Sequence, residues 1–158
     1  MPSDPSPGSR RARRVLTVCA GNICRSPAAA VVLRSLAPDI EVRSRGVHDW
    51  NLGKGAHPAV ARLAAARGHD LSDHVAAQVT AADLAWADDI LVMDEENRRQ
   101  LVRRFPADLV GRVRLLDPEG IPDPWLTDTD AAYAASLDQI EQAARTYLAG
   151  LGPRPMLP

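Results

Sequence analysis

The sequence is poor in cysteine and in aromatic residues, and it has almost no excess of charge of either sign. Its 158 residues include 2 cysteines and 1 phenylalanine, aromatic residues make up 4% of the chain, and the formal net charge is −1 at pH 7. Two cysteines cannot form the disulfide framework of a small secreted domain, so the expected compartment is the reducing cytoplasm. The balanced charge predicts no nucleic-acid partner and no attraction to an anionic membrane.

Long hydrophobic runs are missing as well. No run approaches the length of about 20 residues that a membrane-spanning helix requires. The first residues are basic but include no apolar segment of the kind found in a signal peptide. Residues 1–13 are rich in Pro, Ser, Gly and Arg, and they are predicted to form a disordered tail with solvated arginines. A single domain is predicted over residues 14–152, followed by a second tail at 153–158.

Short apolar runs alternate with helical patterns through the rest of the chain. The predicted strands are residues 15–18, 40–44, 90–93 and 113–116, and the predicted helices are residues 27–36, 58–67, 80–87, 94–105 and 130–150. This alternation is typical of an α/β fold, here a single three-layer domain with a four-stranded parallel sheet and helices on both faces. Ligands of such sheets bind beyond the carboxyl ends of the strands.

The segment between the first strand and the first helix carries the most specific motif. It has the sequence Cys-Ala-Gly-Asn-Ile-Cys-Arg-Ser-Pro over residues 19–27. Backbone N–H groups of such a loop, with the positive end of the helix dipole, can hold an anion and stabilise a thiolate at Cys19. Arg25 offers a planar fork for two phosphate oxygens. The motif therefore predicts a phosphate-binding loop after strand 1, with Cys19 as its nucleophile.

The motif resembles the signature loop of the low-molecular-weight protein tyrosine phosphatases, which carry Cys-x5-Arg-Ser near the amino terminus. The resemblance covers roughly residues 14–151 and implies the same four-stranded parallel fold. It implies hydrolysis of phosphotyrosine through a cysteinyl-phosphate intermediate, with no metal and no other cofactor. It also implies a phosphotyrosine-bearing protein as partner, for which a bacterial tyrosine kinase is one candidate.

A second loop, residues 117–128, follows the fourth predicted strand and is expected to lie over the phosphate-binding loop. Asp123 precedes a proline and an aromatic residue there, and the resemblance implies that it is the general acid. Trp50 and Trp125 are predicted to form the walls of a slot for a phosphorylated aromatic ring. Trp86 is predicted to take part in packing away from the site.

Further residues are expected to shape the phosphate-binding loop. The hydroxyl of Ser26 can donate to the Cys19 sulfur, and Asn22 tolerates the left-handed conformation that the loop demands. The resemblance implies that Ser44 and His74 hold Asn22 by hydrogen bonds. The predicted phosphate-binding and supporting residues are Ala20, Gly21, Asn22, Ile23, Cys24, Ser26, Ser44 and His74.

Three alternative functions depend on a few residues. An arsenate reductase of the same fold needs two further cysteines, which the chain lacks. A protein arginine phosphatase tends to carry threonine where this chain has Ile23, so phosphotyrosine is favoured as the substrate. A non-catalytic phosphotyrosine-binding module usually lacks the nucleophile or the acid, whereas Cys19, Arg25 and Asp123 are all present.

Other residues near these motifs are predicted to support the site or to take no part in it. Cys24 is predicted to protect Cys19 by forming a disulfide after oxidation, the alternative being a small buried hydrophobic residue. Asp94 matches a family aspartate that supports the site, although capping of the following helix would suffice as its role. Arg45 is a bulky departure from the family pattern that either adds positive charge at the mouth or points to solvent. No role is predicted for His48, His57 and His69.

Overall fold

A four-stranded parallel sheet forms the centre of the computed structural model, which describes residues 11–152. The strands are β1 (Arg14–Cys19), β2 (Glu41–Gly46), β3 (Asp89–Val92) and β4 (Val113–Leu115). Their order across the sheet is β2-β1-β3-β4, and all neighbouring pairs are parallel, as predicted. The predicted tail segments 1–10 and 153–158 lie outside the described residues.

Six α-helices lie within residues 11–152. They are α1 (Arg25–Leu36), α2 (Pro58–Ala66), α3 (Ala81–Trp86), α4 (Glu95–Arg104), α5 (Ala107–Val110) and α6 (Asp130–Gly150), and a short 3-10 turn spans Pro124–Leu126. The sequence did not predict α5, because a single helical turn is too short to show a periodic pattern. None of the helices in this part of the chain combines the length and apolar character needed to cross a membrane.

The predicted three-layer arrangement follows from the alternation of side chains along the strands. In β1, Leu16 and Val18 join a cluster with residues of α3, α4 and α5, whereas Val15 and Cys19 join a cluster with residues of α1, α2 and α6. Both faces of the sheet are therefore covered by helices, which explains the continuous apolar strands. The predicted apolar stripe of α6 is buried and consists of Tyr133, Leu137, Ile140, Ala144 and Leu148.

Local signals in the sequence set several element boundaries. Thr80 and Asp83 form the predicted capping box at the start of α3, and Asp94 caps α4. The second strand extends two residues beyond its predicted end, because pairing with β1 places Gly46 beside Cys19. The segments that follow Cys19 and Gly46 therefore leave the sheet next to each other.

Two arginines of the predicted N-terminal tail are not simply solvated. Arg11 donates two hydrogen bonds of 2.9 Å to the Asp88 carboxylate, and Arg13 donates two of 2.8 and 3.0 Å to Asp89. The hydroxyl of Tyr147, from α6, donates to the same Asp89 carboxylate. The amino end of β3 is thus ion-paired to the residues that precede β1.

Candidate active site

The predicted phosphate-binding loop lies at the carboxyl edge of the sheet, between the end of β1 and the start of α1. A pocket of about 440 Å³ opens above it. The pocket is lined by Cys19, Ala20, Gly21, Ile23, Cys24, Arg25, Trp50, Asn51, Asp123 and Trp125. The structure therefore brings together the residues predicted as nucleophile, arginine fork, acid and aromatic walls, although they come from distant parts of the sequence.

Two polar contacts fix the Cys19 sulfur at the floor of the pocket. The backbone N–H of Asn22 donates to Sγ at 3.2 Å, and the Ser26 hydroxyl oxygen lies 3.0 Å from Sγ. A thiolate has no proton to donate, so Ser26 is the donor in the second contact whenever Cys19 is ionised. Ser26 lies within the first turn of α1 and does not cap that helix.

Asn22 holds the loop in shape through both its side chain and its backbone. Its φ of 59° lies in the left-handed region, as the sequence predicted. Its side-chain amide donates to the Ser26 hydroxyl at 2.8 Å, and its side-chain oxygen accepts the Ala77 N–H at 3.0 Å. The Nε2 atom of His74 lies 2.7 Å from the Asn22 carbonyl oxygen.

The protonation of His74 is set by its surroundings. Burial lowers the pKa of His74, and the positive charges of Arg34 and Arg45 act in the same direction, against the hydrogen bond to Asn22. A neutral imidazole has one N–H donor, and the Asn22 carbonyl can only accept. The proton of His74 therefore sits on Nε2 and points at the loop.

Within the described residues, the expected hydrogen bond between Ser44 and Asn22 is not formed. The register of the sheet pairs Ser44 with Thr17, so Ser44 lies two residues before the end of β2. Gly46 occupies the position beside the loop instead. A Cβ atom there would lie 3.1 Å from both the Ala20 carbonyl oxygen and the Asn22 Cβ, so the close approach of β2 to the loop favours glycine.

Arg25 is buried under the pocket, and its guanidinium is held by oxygen atoms. Nη1 donates to the Asp94 carboxylate at 2.7 Å and to the Ile121 carbonyl at 2.8 Å, while Nη2 lies 3.7 Å from the Asp123 carboxylate. Burial disfavours the charge, but the negative charges of Cys19 and the two carboxylates outweigh it and raise the pKa of Arg25. The result is a permanent positive charge in a fixed orientation.

Asp123 stands at the start of the 3-10 turn, where its carboxylate accepts the Trp125 N–H at 3.1 Å. The two predicted wall residues stand at the mouth, Trp50 with 64% of its surface exposed and Trp125 with 58%. The Trp50 ring stacks on His48, with 4.0 Å between ring centroids. Two indole rings therefore offer apolar surface to a ligand that enters the pocket.

Cys24 lies at the other end of the loop, where burial is the main influence on its thiol. Burial, together with the negative charge of Cys19, raises the pKa of Cys24 to about 12. Cys24 is therefore a thiol at neutral pH. It does not compete with Cys19 for the role of nucleophile.

Most of the chain, and not only the loop, corresponds to one known family. The family model described as "Low molecular weight phosphotyrosine protein phosphatase" matches residues 14–154. The chain belongs to this family. Its members are hydrolases, and the chain is an enzyme of that class.

Individual phosphatases of this family are similar to the chain over nearly their whole length. The low molecular weight protein-tyrosine-phosphatase Wzb of Salmonella typhimurium is 36% identical in an alignment that covers 87% of this chain and 93% of Wzb. The low molecular weight phosphotyrosine protein phosphatase of Sus scrofa is 36% identical in an alignment that covers 86% of this chain and 94% of that one. The solved structure of Vibrio vulnificus Wzb in complex with benzylphosphonate superposes with a TM-score of 0.83 at 29% identity, covering 88% of this chain and 99% of that one.

Two residues of the phosphatase site have contacts that the sequence did not predict. Asp94 caps α4 and also binds Arg25, so capping does not account for its whole role. Asn51 donates its side-chain amide to the Gly21 carbonyl at 3.1 Å and lines the pocket. The only signal for Asn51 was its place directly after Trp50.

Arg45 and Trp86 take part in contacts outside the pocket. Arg45 neither adds charge at the mouth nor points to solvent, because its Nε donates to the Asp83 carboxylate at 3.1 Å. The Trp86 ring packs beneath the Arg43 guanidinium, 4.1 Å from its central carbon, as a packing role predicts.

Proposed function

We propose that the protein hydrolyses phosphotyrosine in protein substrates through a cysteinyl-phosphate intermediate. The observation that carries this proposal is the placement of Cys19, Arg25 and Asp123 around one pocket. The Cys19 thiolate attacks phosphorus, and the S–P bond forms as the bond to the tyrosine oxygen breaks, with Asp123 protonating that oxygen. A water molecule, deprotonated by Asp123, then attacks phosphorus, releases inorganic phosphate and restores the Cys19 thiolate.

Charge on the transferring phosphoryl group is stabilised by Arg25 and by the backbone N–H groups of the loop. The fixed orientation of Arg25 supports this role, since a preset donor needs no reorganisation during the reaction. The ligand of the Vibrio vulnificus relative, benzylphosphonate, combines a tetrahedral phosphorus group with an aromatic ring. Phosphotyrosine presents the same combination to the pocket of this chain.

Selection of phosphotyrosine is proposed to rest on Trp50, Trp125 and Ile23, all of which line the pocket. A phosphoserine side chain is too short to bring phosphorus to the floor of a slot between two indole rings. Ile23 offers no hydroxyl to a guanidinium, which favours phosphotyrosine over phosphoarginine. Bacterial relatives such as Wzb are named protein-tyrosine-phosphatases, and a tyrosine kinase is the protein substrate that we propose.

The compartment and the redox behaviour are proposals of the same kind. Both Cys19 and Cys24 are free thiols, which supports a reducing, cytoplasmic location. Protection of Cys19 by Cys24 stays a prediction. Its support is that both thiols line the same pocket, and the Cys24 thiol has to lose its proton as it condenses with a sulfenic acid at Cys19.

The proposal is tested with p-nitrophenyl phosphate and a phosphotyrosine peptide, using the wild type, Cys19→Ser and Asp123→Ala. We expect Cys19→Ser to be inactive and EDTA to have no effect. Asp123→Ala should lower kcat/KM for the peptide by about 10²–10⁴-fold and lower it less for p-nitrophenyl phosphate, because p-nitrophenolate leaves without a proton. Activity in Cys19→Ser, or its abolition by EDTA, would contradict the mechanism.

Two further peptides define the substrate class. Phosphoserine and phosphoarginine peptides of the same sequence should be hydrolysed far more slowly than the phosphotyrosine peptide. Equal rates on phosphoserine would refute the slot between Trp50 and Trp125. Faster hydrolysis of phosphoarginine would make the protein an arginine phosphatase, and binding without turnover would make it a phosphotyrosine-binding module.

A further inference from the structure

The loop that carries Asp123 is attached to α6 at both of its ends. Near its start, the Gln139 side-chain amide donates to the Asp117 carboxylate at 2.9 Å and to a backbone carbonyl of the loop at 2.8 Å. At its end, the Tyr133 hydroxyl donates to Asp128 Oδ1 at 2.7 Å. Gln139 and Tyr133 both belong to α6. The acid therefore lies between two fixed attachment points on one helix.

The second attachment continues to the phosphate-binding loop through His57. The Nε2 atom of His57 lies 3.2 Å from the Tyr133 hydroxyl oxygen, and the two rings stack with 4.7 Å between centroids. His57 is also the N-cap of α2, where Nδ1 accepts the Ala59 N–H at 3.2 Å. Its own backbone N–H donates to the Ile23 carbonyl at 2.8 Å. One residue thus contacts the phosphate-binding loop and, through Tyr133, the acid loop.

The hydrogen bond from the Ala59 N–H to His57 sets the direction of the hydrogen bonds that follow, from His57 to Tyr133 and from Tyr133 to Asp128. The Ala59 N–H can only donate, so His57 Nδ1 carries no proton and the proton of the neutral ring is on Nε2. Nε2–H therefore donates to the Tyr133 oxygen, and the Tyr133 proton is directed to Asp128. Burial, reinforced by the hydrogen bond to Asp128, raises the pKa of Tyr133, so the hydroxyl keeps the proton that it donates.

Asp128 adopts a backbone conformation that would suit glycine better. Its φ is 54°, in the left-handed region. Glycine would relieve this strain but could not accept the Tyr133 proton. The Asp128 N–H donates to the Pro124 carbonyl at 2.9 Å, and Pro124 directly follows Asp123. A displacement of Asp128 is therefore passed directly to the acid.

We propose that His57, Tyr133 and Asp128 form a hydrogen-bonded series that positions Asp123 for proton transfer. This inference rests on the proposed function, in which Asp123 is the acid. The pocket is not lined by any of the three, so they are positioning residues that act through Asp123. Without the series, the acid loop samples positions from which Asp123 cannot reach the leaving oxygen, and only the step that needs its proton slows.

The first test compares Tyr133→Phe with Tyr147→Phe. Each variant removes one hydroxyl of α6 that donates to an aspartate, but Tyr147 donates to Asp89 at the opposite edge of the sheet. The measurement is kcat/KM for aryl phosphates whose leaving groups run from p-nitrophenol to unsubstituted phenol. Tyr133→Phe should lose about 10-fold for phenyl phosphate and under about 2-fold for p-nitrophenyl phosphate. Tyr147→Phe should keep the wild-type dependence on the leaving group.

A second variant separates positioning from stability. Asp128→Gly removes the acceptor, which lowers stability, and relieves the left-handed backbone, which raises it, so its Tm should stay close to that of the wild type. Its dependence on the leaving group should match that of Tyr133→Phe. If Tyr133→Phe fails to fold, the leaving-group dependence of Asp128→Gly alone tests the positioning role.

The outcomes that overturn the inference are distinct from those that overturn the proposed function. Each of three outcomes would overturn the positioning role. In the first, Asp128→Gly keeps the wild-type dependence of kcat/KM on the leaving group, and in the second, Tyr133→Phe loses kcat/KM equally for all leaving groups. In the third, Tyr147→Phe shows the same increased dependence on the leaving group as Tyr133→Phe. Failure of the proposed function would instead appear as a wild type without phosphatase activity, or as activity retained in Cys19→Ser.

Discussion

At the scale of single residues, Asp94 has a separate partner for each oxygen of its carboxylate. Oδ1 accepts the Asn97 N–H at 2.8 Å and so caps α4, while Oδ2 accepts from Arg25 at 2.7 Å. The first contact stabilises a helix, and the second orients the cation under the pocket. Because the two contacts use different atoms, a substitution can keep one and remove the other.

We predict that Asp94→Ser keeps the fold and impairs the site. Serine is a good N-cap, but its side chain is too short to reach Arg25. The Tm should fall, because the buried guanidinium loses its charged partner, and kcat/KM for p-nitrophenyl phosphate should fall about 10-fold, because the same partner fixes its orientation. Asp94→Ala is the control, since it loses the cap as well and should be less stable than Asp94→Ser by about 1 kcal/mol. An unchanged kcat/KM in Asp94→Ser would contradict the prediction.

What the sequence could predict at this scale depended on residue type. The left-handed conformation of Asn22 was predictable, because few side chains tolerate it. The contact expected of Ser44 was wrong, because it depended on strand register, which places Gly46 and not Ser44 beside the loop. The resemblance marked Asp94 as a residue that supports the site but did not name its partner, which the structure identifies as Arg25.

At the scale of elements, the end of β2 and the phosphate-binding loop approach so closely that a side chain between them would displace the loop. We predict that Gly46→Ala costs about 1–3 kcal/mol of stability through overpacking. The atoms a new Cβ would meet include the Ala20 carbonyl oxygen at 3.1 Å and the Asn22 N at 3.2 Å, which are backbone and cannot rotate away. Because the loop itself must shift, kcat/KM should fall together with stability. Urea unfolding and p-nitrophenyl phosphate kinetics measure the two effects.

Gly111→Ala is the matched control for this substitution. A Cβ at Gly111 would lie 3.6 Å from the Ala107 carbonyl oxygen, an ordinary contact, and its φ of −66° suits alanine. Its stability should equal or slightly exceed that of the wild type, since alanine restricts the unfolded chain more than glycine does. Equal stability and equal kcat/KM in Gly46→Ala and Gly111→Ala would show that β2 and the loop have room to separate.

Long or strongly apolar elements were predictable from the sequence, and short ones were not. The stripe of α6 repeats over several turns, and β3 is a compact apolar run, so both gave clear signals. The last two residues of β2, Arg45 and Gly46, are not typical of strands and adopt that conformation because β1 pairs with them. The one-turn helix α5 and the 3-10 turn after Asp123 are too short for a periodic pattern to repeat in the sequence.

At the scale of the whole molecule, the two edges of the sheet differ. The carboxyl edge carries the site, as expected for a parallel sheet, while the amino edge is ion-paired. The hydrogen bond from Arg11 lowers the pKa of Asp88 to about 2. These ion pairs join residues more than 70 positions apart, so only the folded chain reveals them.

We predict that Asp88→Asn lowers the free energy of unfolding by less than about 1 kcal/mol at pH 7, because the pair with Arg11 is largely exposed. A carboxyl with a depressed pKa stabilises the fold above its unfolded pKa, about 3.9, and this contribution disappears as the pH falls through the folded value near 2. The difference from the wild type should be constant between pH 7 and about pH 5, decrease as the pH falls further, and approach zero only below about pH 2. Urea unfolding at a series of pH values measures it, and a difference that grows on acidification would contradict the assignment.

The carboxylate of Asp89 has a consequence for how the enzyme can be tethered. It binds Arg13, just before β1, and Tyr147, near the end of α6. Both ends of the described chain are therefore gathered at the amino edge of the sheet, on the side away from Cys19. A surface, a carrier domain or a linker joined to either end leaves the mouth of the pocket facing outward, so the enzyme can be immobilised without shielding it from substrates as large as a folded protein.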